Sequence, residues 1–380
     1  MEKITREEVH DRALSLIDNN KTVLLELATG FGKTKLSIDL INHICDRVYN
    51  RDGNPTTILI IVAKTVHKNE WFKEIEKWGG IKSDYITIEC YNSLDKYVNR
   101  YFDVVIFDEV HHLSVNKRAI LKMIHINELL VGLSATIKDE MKEYFEYNYN
   151  AKIISCGLKK AIDNNILPDP EVYLIPLKLD NNKLDRIAHK FKETYRTTQK
   201  GYYKALDVEI NYYKNLYNKY HNQRIKQLWL RKCKIRLEWL SSQKEDIIKL
   251  LHKKFNNSRT ITFCSTIEQC NNLGKFAVHS KNKKSLQYVD DFNNKKIKHL
   301  TSVNILNEGC NLVDCRIGIF CNLNGSDTLT KQRIGRILRH KKPIIIVPYY
   351  VETREEELVE LMKKLYSKDK IHIIYNIKKY

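Results

Sequence analysis

VLLELATGFGKTKLSIDL (residues 23–40) decides how the rest of the chain is read. Its first five residues are a buried-strand pattern, a glycine-rich turn follows, and KTKLSIDLINHICDRV carries helical spacing. LATGFGKT (27–34) thus sits on a strand-to-helix turn, the context in which a phosphate loop works. Gly30 and Gly32 let the backbone curl so that its N–H groups point inward, and the helix starting near Lys33 adds its positive end. Lys33 would reach the β- and γ-phosphates of a nucleotide, and Thr34 would offer a hydroxyl to Mg²⁺. Leu27 stands where the strict pattern has Gly or Ala, and a GKT on such a turn also arises by chance, so a second element has to support it.

DVVIFDEVHHL (103–113) is that element. An apolar strand delivers Asp108 and Glu109 at its carboxyl end, where ligands bind in parallel sheets. Asp108 suits Mg²⁺, and Glu109 suits polarising an attacking water. An isolated acidic pair is more often a helix cap, but one following a phosphate loop in the same sheet reads as its partner. His111 and His112 are a weaker metal-ligand pattern, since adjacent side chains point apart. TILIIVA (57–63), YITIECY (85–91) and LLVGLSA (129–135) complete an expected set of five strands, with a helix through VHKNEWFKEIEKW. Near-continuous Val, Ile and Leu implies burial on both faces, hence a parallel sheet covered by helices.

LPDPEV (167–172) marks a joint between domains, and EVYLIPLKL continues as an extended segment. From Lys183 to Leu240 the chain reads as helical and basic, with 15 Lys/Arg against 5 Asp/Glu and seven tyrosines. TITFC (260–264), IGIFCNL (317–323) and IIIVPYY (344–350) then restore the α/β rhythm. The expected organisation is 1–166 as a first α/β domain, 167–182 as the joint and first strand of a second, 183–250 as a basic helical insertion, and 251–380 as the remainder.

The 380 residues carry a net charge of +19, which points to a polyanionic partner, nucleic acid before a membrane surface. There is no run of uncharged apolar residues long enough to span a bilayer, and MEKITREEVHDRA lacks the apolar core of a signal peptide. Nine cysteines without a C-x-x-C pair argue against a zinc or disulfide framework and for a reducing compartment. The expectation is a cytoplasmic protein with no membrane partner.

At this point the chain resembles a superfamily two helicase of the DExH type, built from two RecA-like domains in tandem. LATGFGKT resembles motif I of that family, VAKTVHKNEWFKEIEKWG motif Ia, DEVH (108–111) motif II and LSAT (133–136) motif III. ITFCSTIEQC (261–270) resembles motif IV, SVNILNEGCNLVD (302–314) motif V, and QRIGRILR (332–339) motif VI. The nearest likeness is to the restriction-helicase (ResIII) branch, to which many phage and bacterial motors belong.

The resemblance implies an ATP and Mg²⁺ site in which Thr29, Gly30, Phe31, Gly32, Lys33, Thr34 and Gly309 hold the nucleotide. Thr34 and Asp108 would take the metal, and Glu109 would act with Gln332, Arg336 and Arg339 in catalysis. His111, Ser134 and Thr136 would couple the nucleotide to nucleic acid, which Lys64, Thr65, Ser265 and Thr266 would contact. Arg333 falls outside the Q-x-x-G-R-x-x-R pattern and is expected at the surface or on the DNA side. The chain departs from the family in having no clear glutamine motif before the phosphate loop, Asn311 in motif V and Ala63 in motif Ia. The expected substrate is single-stranded or branched duplex DNA in replication, recombination or repair, bound by a monomer. An RNA helicase and a non-motor DNA-binding module stay open as alternatives. The helical spacing of the insertion serves either a basic arm on DNA or a solvated hairpin packed on its own aromatics, and its one-sided charge favours the arm.

Overall fold

The computed structural model describes residues 4–190, 193–303, 312–323 and 327–377. They form two compact units, the first built from residues 4–169 with the later stretch 327–341, the second from the rest. The first runs α1 (Arg6–Asn19), β1 (Thr22–Leu27), α2 (Lys33–Asp52), β2 (Ile58–Val62), α3 (Thr65–Lys77), β3 (Ile86–Cys90), β4 (Tyr101–Asp108), α4 (Val115–Leu121), β5 (His125–Ser134), α5 (Asp139–Tyr149), β6 (Lys152–Cys156) and α6 (Leu158–Asp163).

Its sheet is six-stranded and parallel in the order β3-β2-β4-β5-β1-β6. Every residue of β2 is buried, as an apolar run covered on both faces requires. Leu24, Phe107, Val110, Leu130 and Phe145 meet in one core cluster, each burial stabilising by roughly 1.5–3 kcal/mol. Five strands were expected, and β6 is the correction. As an edge strand it mixes buried and exposed residues, so its apolar run is too broken to read. The register Glu26↔Ser134 and the pairing of Asp108 with Leu133 put the carboxyl ends of β1, β4 and β5 at one edge. That edge carries the loops with the candidate site residues.

The second unit contains β7 (Glu171–Leu177), β8 (Arg186–Lys190), β9 (Glu193–Thr197), α7 (Gln199–Tyr220), α8 (Gln223–Ser242), α9 (Glu245–Lys254), β10 (Thr260–Phe263), α10 (Ile267–Leu273), β11 (Ala277–Val278), α11 (Ser285–Asn293), β12 (His299–Ser302) and β13 (Ile317–Phe320). Then, after a helix α12 (Asp327–Ile337) that groups with the first unit, come β14 (Ile344–Tyr350), α13 (Arg354–Lys363) and β15 (Ile371–Ile373). Seven parallel strands are ordered β11-β12-β10-β13-β14-β7-β15. Strands β11, β12 and β15 have two, four and three residues, too few for a periodicity to show in sequence.

The insertion differs from the helical expectation at its start. Strands β8 and β9 pair antiparallel, with Arg186 opposite Thr197 and Lys190 opposite Glu193. Ile187, Thr194, Tyr195 and Thr197 favour strand, a preference that the surrounding charges obscured. Helices α7 and α8 follow, joined at His221, which adopts φ 49°, and at Asn222, whose side chain caps α8. Tyr203, Leu240 and Tyr350 cluster where the hairpin meets the sheet. Nearby, the fully buried Lys244 ammonium pairs with Glu355 and donates to the Cys321 carbonyl at 2.9 Å.

Candidate nucleotide site

The turn between β1 and α2 is a cradle only glycine can line. Gly30 and Gly32 sit at φ 91° and 102°, in the left-handed region that strains any residue with a Cβ. Gly32 is also the residue at which α2 begins, and no side chain caps the helix there. The first N–H groups of α2 are therefore left for an anion. Lys33 Nζ donates to the Leu27 carbonyl at 3.2 Å, holding its charge over the loop. The Thr29 hydroxyl is buried without a hydrogen-bond partner. Phe31 is 2% exposed, with the Arg6 guanidinium 5.7 Å from its ring centre, and its N–H donates to the Ala28 carbonyl at 3.1 Å.

Asp108 ends β4 beside this loop. The Trp71 indole N–H donates to its Oδ2 at 3.0 Å. Burial, then the charge of Glu109, pushes the Asp108 carboxyl up to about 6, while the Trp71 bond and the Lys33 ammonium oppose the rise. Glu109 lies at φ 52°, a left-handed conformation that costs a non-glycine residue on the order of 1–3 kcal/mol where the surroundings enforce it. Tyr91 is part of that enforcement, its hydroxyl lying 3.1 Å from the Asp108 carbonyl and 3.3 Å from that of Glu109.

Ser134, at the end of β5, touches both neighbours. Its hydroxyl is 3.2 Å from Glu109 Oε2 and 2.9 Å from the Thr136 carbonyl, and it has one proton to give. His111 Nδ1 lies 3.0 Å from the same hydroxyl. The Thr136 hydroxyl is buried without a partner. Glu26 of β1 fixes this loop from below, accepting from the Ile137 N–H at 2.9 Å and from Ser155 at 2.9 Å. Glycine cradle, lysine, Thr34 hydroxyl and Asp108 carboxylate together supply the anion-binding amides and hard oxygen donors that a magnesium nucleotide requires.

Helix α12 belongs to the same unit. A Cβ on Gly335 would stand 2.3 Å from the Thr29 Cβ, so the glycine permits a close approach to the phosphate loop. Arg336 is 7% exposed. Glu70 of α3 feels both Arg336 and Arg339, which hold its carboxyl down, yet burial dominates and pushes it up to about 7. Arg333 corrects an expectation. It is 3% exposed, not a surface charge, because Arg333, Ile334, Ile337 and Leu338 fall on the buried faces of the helix. Gly309, Asn311 and the Gln332 side chain lie outside the described residues.

Lys64 and Thr65 are exposed at the start of α3 in the first unit. Ser265 and Thr266 stand at the start of α10 in the second. Thr266 accepts from the Gln269 N–H at 3.1 Å as the cap of α10, and the Ser265 hydroxyl is buried without a partner. Motif reading missed Trp71, Tyr91, Glu70 and Glu26. The sequence placed Trp71 on a helix, but nothing in it placed the indole against Asp108.

Residues 2–139 match the family described as the type III restriction enzyme res subunit, and residues 242–341 match the helicase conserved C-terminal domain. The chain belongs to the superfamily two helicases of restriction-helicase type. A further relative of this superfamily two chain is the "Probable helicase D10" of Escherichia phage T5, 27% identical over 178 residues. That match covers 43% of the chain and 36% of the phage protein, so it spans about a third of the relative's length. S. cerevisiae Dbp5 bound to RNA and ADP BeF3 superposes with a TM-score of 0.61 at 14% identity, covering 97% of this chain and 89% of that one. A fragment of an HsdR subunit of a Vibrio vulnificus type I restriction enzyme gives 0.61 at 18% identity, over 97% and 68%. The Hef helicase domain of Pyrococcus furiosus gives 0.53 at 13%, over 93% and 97%. At these identities the structures establish the RecA-like fold of the two units.

Proposed function

We propose that this chain is an ATP-dependent nucleic-acid motor that unwinds or remodels DNA, acting on duplex or branched substrates. The observation that carries the reading is the meeting of the glycine cradle with Lys33, Asp108, Glu109 and Ser134 at one edge of the first sheet. ATP would be held by the N–H groups around Gly30 and Gly32 and by Lys33, and Mg²⁺ by Thr34 and Asp108. Bound there, the metal would neutralise charge on the phosphates. Glu109 would orient the attacking water, and Ser134 would sense it through the hydroxyl it shares with the Thr136 carbonyl. Arg336 and Arg339 would stabilise the charge of the transferring phosphoryl, a contribution of ~10³–10⁵ in rate where such arginines operate.

Lys64, Thr65, Ser265 and Thr266 would meet backbone phosphates, which accounts for affinity without sequence reading. The net charge of +19 supports a polyanionic substrate, and the phage relative supports work in a bacterial or phage-infected cytosol. Among the described residues no helix is long and apolar enough to cross a membrane. The test is ATP turnover by the whole chain alone and with matched DNA and RNA forks. Stimulation by DNA forks is expected; stimulation by RNA alone moves the reading to RNA, and none by either removes the motor.

A further inference from the structure

The α7–α8 hairpin sorts its charges. Residues 199–242 hold ten Lys/Arg and three acids. Two of the acids lie between the helices, where Glu209 binds Lys232 at 2.7 Å and Asp207 binds Arg236. The same seam holds Trp229 against Tyr217, with ring centres 6.0 Å apart. The opposite face of α8 is different. Arg224, Gln227, Arg231 and Lys234 recur at steps of three and four, so they line one side of the helix over about 15 Å. All four are exposed. The third acid, Glu238, reaches only Lys234, at 3.7 Å on the surface, where such a pair contributes little.

The buried residues of α7 and α8 are Tyr203, Leu206, Ile210, Leu240 and Ser241, all at the end near the sheet. From residue 211 to residue 231 every side chain is at least partly exposed. At its turn Tyr220 is 58% exposed, with the Lys219 ammonium 5.1 Å from its ring centre.

We propose that the distal half of this hairpin is a prong for nucleic acid, gripping the phosphodiester backbone through Arg224, Arg231 and Lys234. The inference rests on the motor reading and extends it to a site outside the helicase motifs. Packing alone explains the inward cations, which neutralise the acids of α7. It does not explain a one-sided row of cations facing away from every apolar contact the hairpin makes. Guanidinium pairs on a straight helix suit a repeating row of phosphates. Leu228 and Leu230 flank the stripe in exposed positions, so an acidic protein surface is the competing occupant that the test separates.

The test uses the whole chain and a labelled forked DNA duplex, with the same fork in RNA, measured by anisotropy over a salt series. Substituting Arg224→Gln, Arg231→Gln and Lys234→Gln together is expected to lower the slope of log K against log salt by about 2–3. That follows from about 0.9 per duplex phosphate contact or 0.7 per single-stranded one. A control with Lys283, Lys364 and Lys368 changed to Gln removes equal charge from exposed positions elsewhere and should keep the slope. Turnover stimulated by the fork with an unchanged slope in the first variant overturns the prong and leaves the motor standing. An equal loss in the control also overturns it. Poly-glutamate competing as well per charge as DNA would reassign the surface to an acidic protein. A wild-type chain that neither binds nor is stimulated by any fork sinks both readings together.

Discussion

Glu109 is held at φ 52° with its carboxylate 3.2 Å from the Ser134 hydroxyl. Such a conformation costs free energy that the Tyr91 and Ser134 contacts offset, which is the pattern of a residue placed for chemistry. The identity of the acid was legible in DEVH; its backbone geometry was not, because φ at that position is imposed by contacts from Tyr91, just after β3, and from Ser134 of β5. Lys33→Ala is expected to abolish ATP turnover, and residual hydrolysis above a few per cent of wild type would withdraw the phosphate-loop assignment. Trp71→Phe removes the indole donor to the partly buried Asp108 carboxylate. It should cost about 1.5–3 kcal/mol of stability in urea titration, the range for a hydrogen bond to a charged group. A change below measurement error would mean that another donor takes its place.

At the scale of elements, the long central strands were readable and the short or edge ones were not. β2 and β4 announce themselves as apolar runs, whereas β11 is two residues long and acquires its conformation from pairing with β12. Two interactions anchor elements of the second unit. Lys244 opens α9 with its ammonium buried against Glu355. Lys244→Ala strands the Glu355 charge and should cost about 3–5 kcal/mol, read as a shift in urea midpoint. Glu355→Gln in the same background should recover part of that loss.

His252 of α9 is partly buried against Thr262 at 2.7 Å, and that desolvation, with His299 nearby, lowers its pKa to about 4 from an ordinary 6.5. The unfolded chain therefore binds the proton more readily. The stability due to keeping this imidazole neutral is complete above pH 6.5 and is lost as pH falls from there toward 4. The full span is worth up to about 3 kcal/mol. Urea titrations across that range should show the acid limb shrink in His252→Gln, and an unaltered limb would assign it to other groups.

For the whole molecule, the two sheets have separate cores, one around Leu24, Phe107 and Phe145 and the other around Ile248, Ile319 and Ile346. A nucleotide that binds the first unit should therefore protect that unit. With Mg²⁺ and a non-hydrolysable ATP analogue at a hundredfold excess over its Kd, the stabilisation is about 2.7 kcal/mol. Calorimetry should show that shift in wild type and not in Lys33→Ala; equal shifts in both would place the nucleotide elsewhere.

The sequence by itself determined the RecA-like class, the order of the motifs and the residues Lys33, Thr34, Asp108 and Glu109. These are local matters, since a strand, a glycine turn and a helix start are written in consecutive residues and their dihedral preferences. Tertiary structure decided what touches those residues. Trp71 on Asp108, Tyr91 beneath Glu109, Glu26 under the Ile137 loop and the burial of Arg333 all join positions far apart in the chain. Such contacts follow from how the sheet brings its strand ends together, and hydrophobic periodicity, which reports only which face is buried, does not encode the partner.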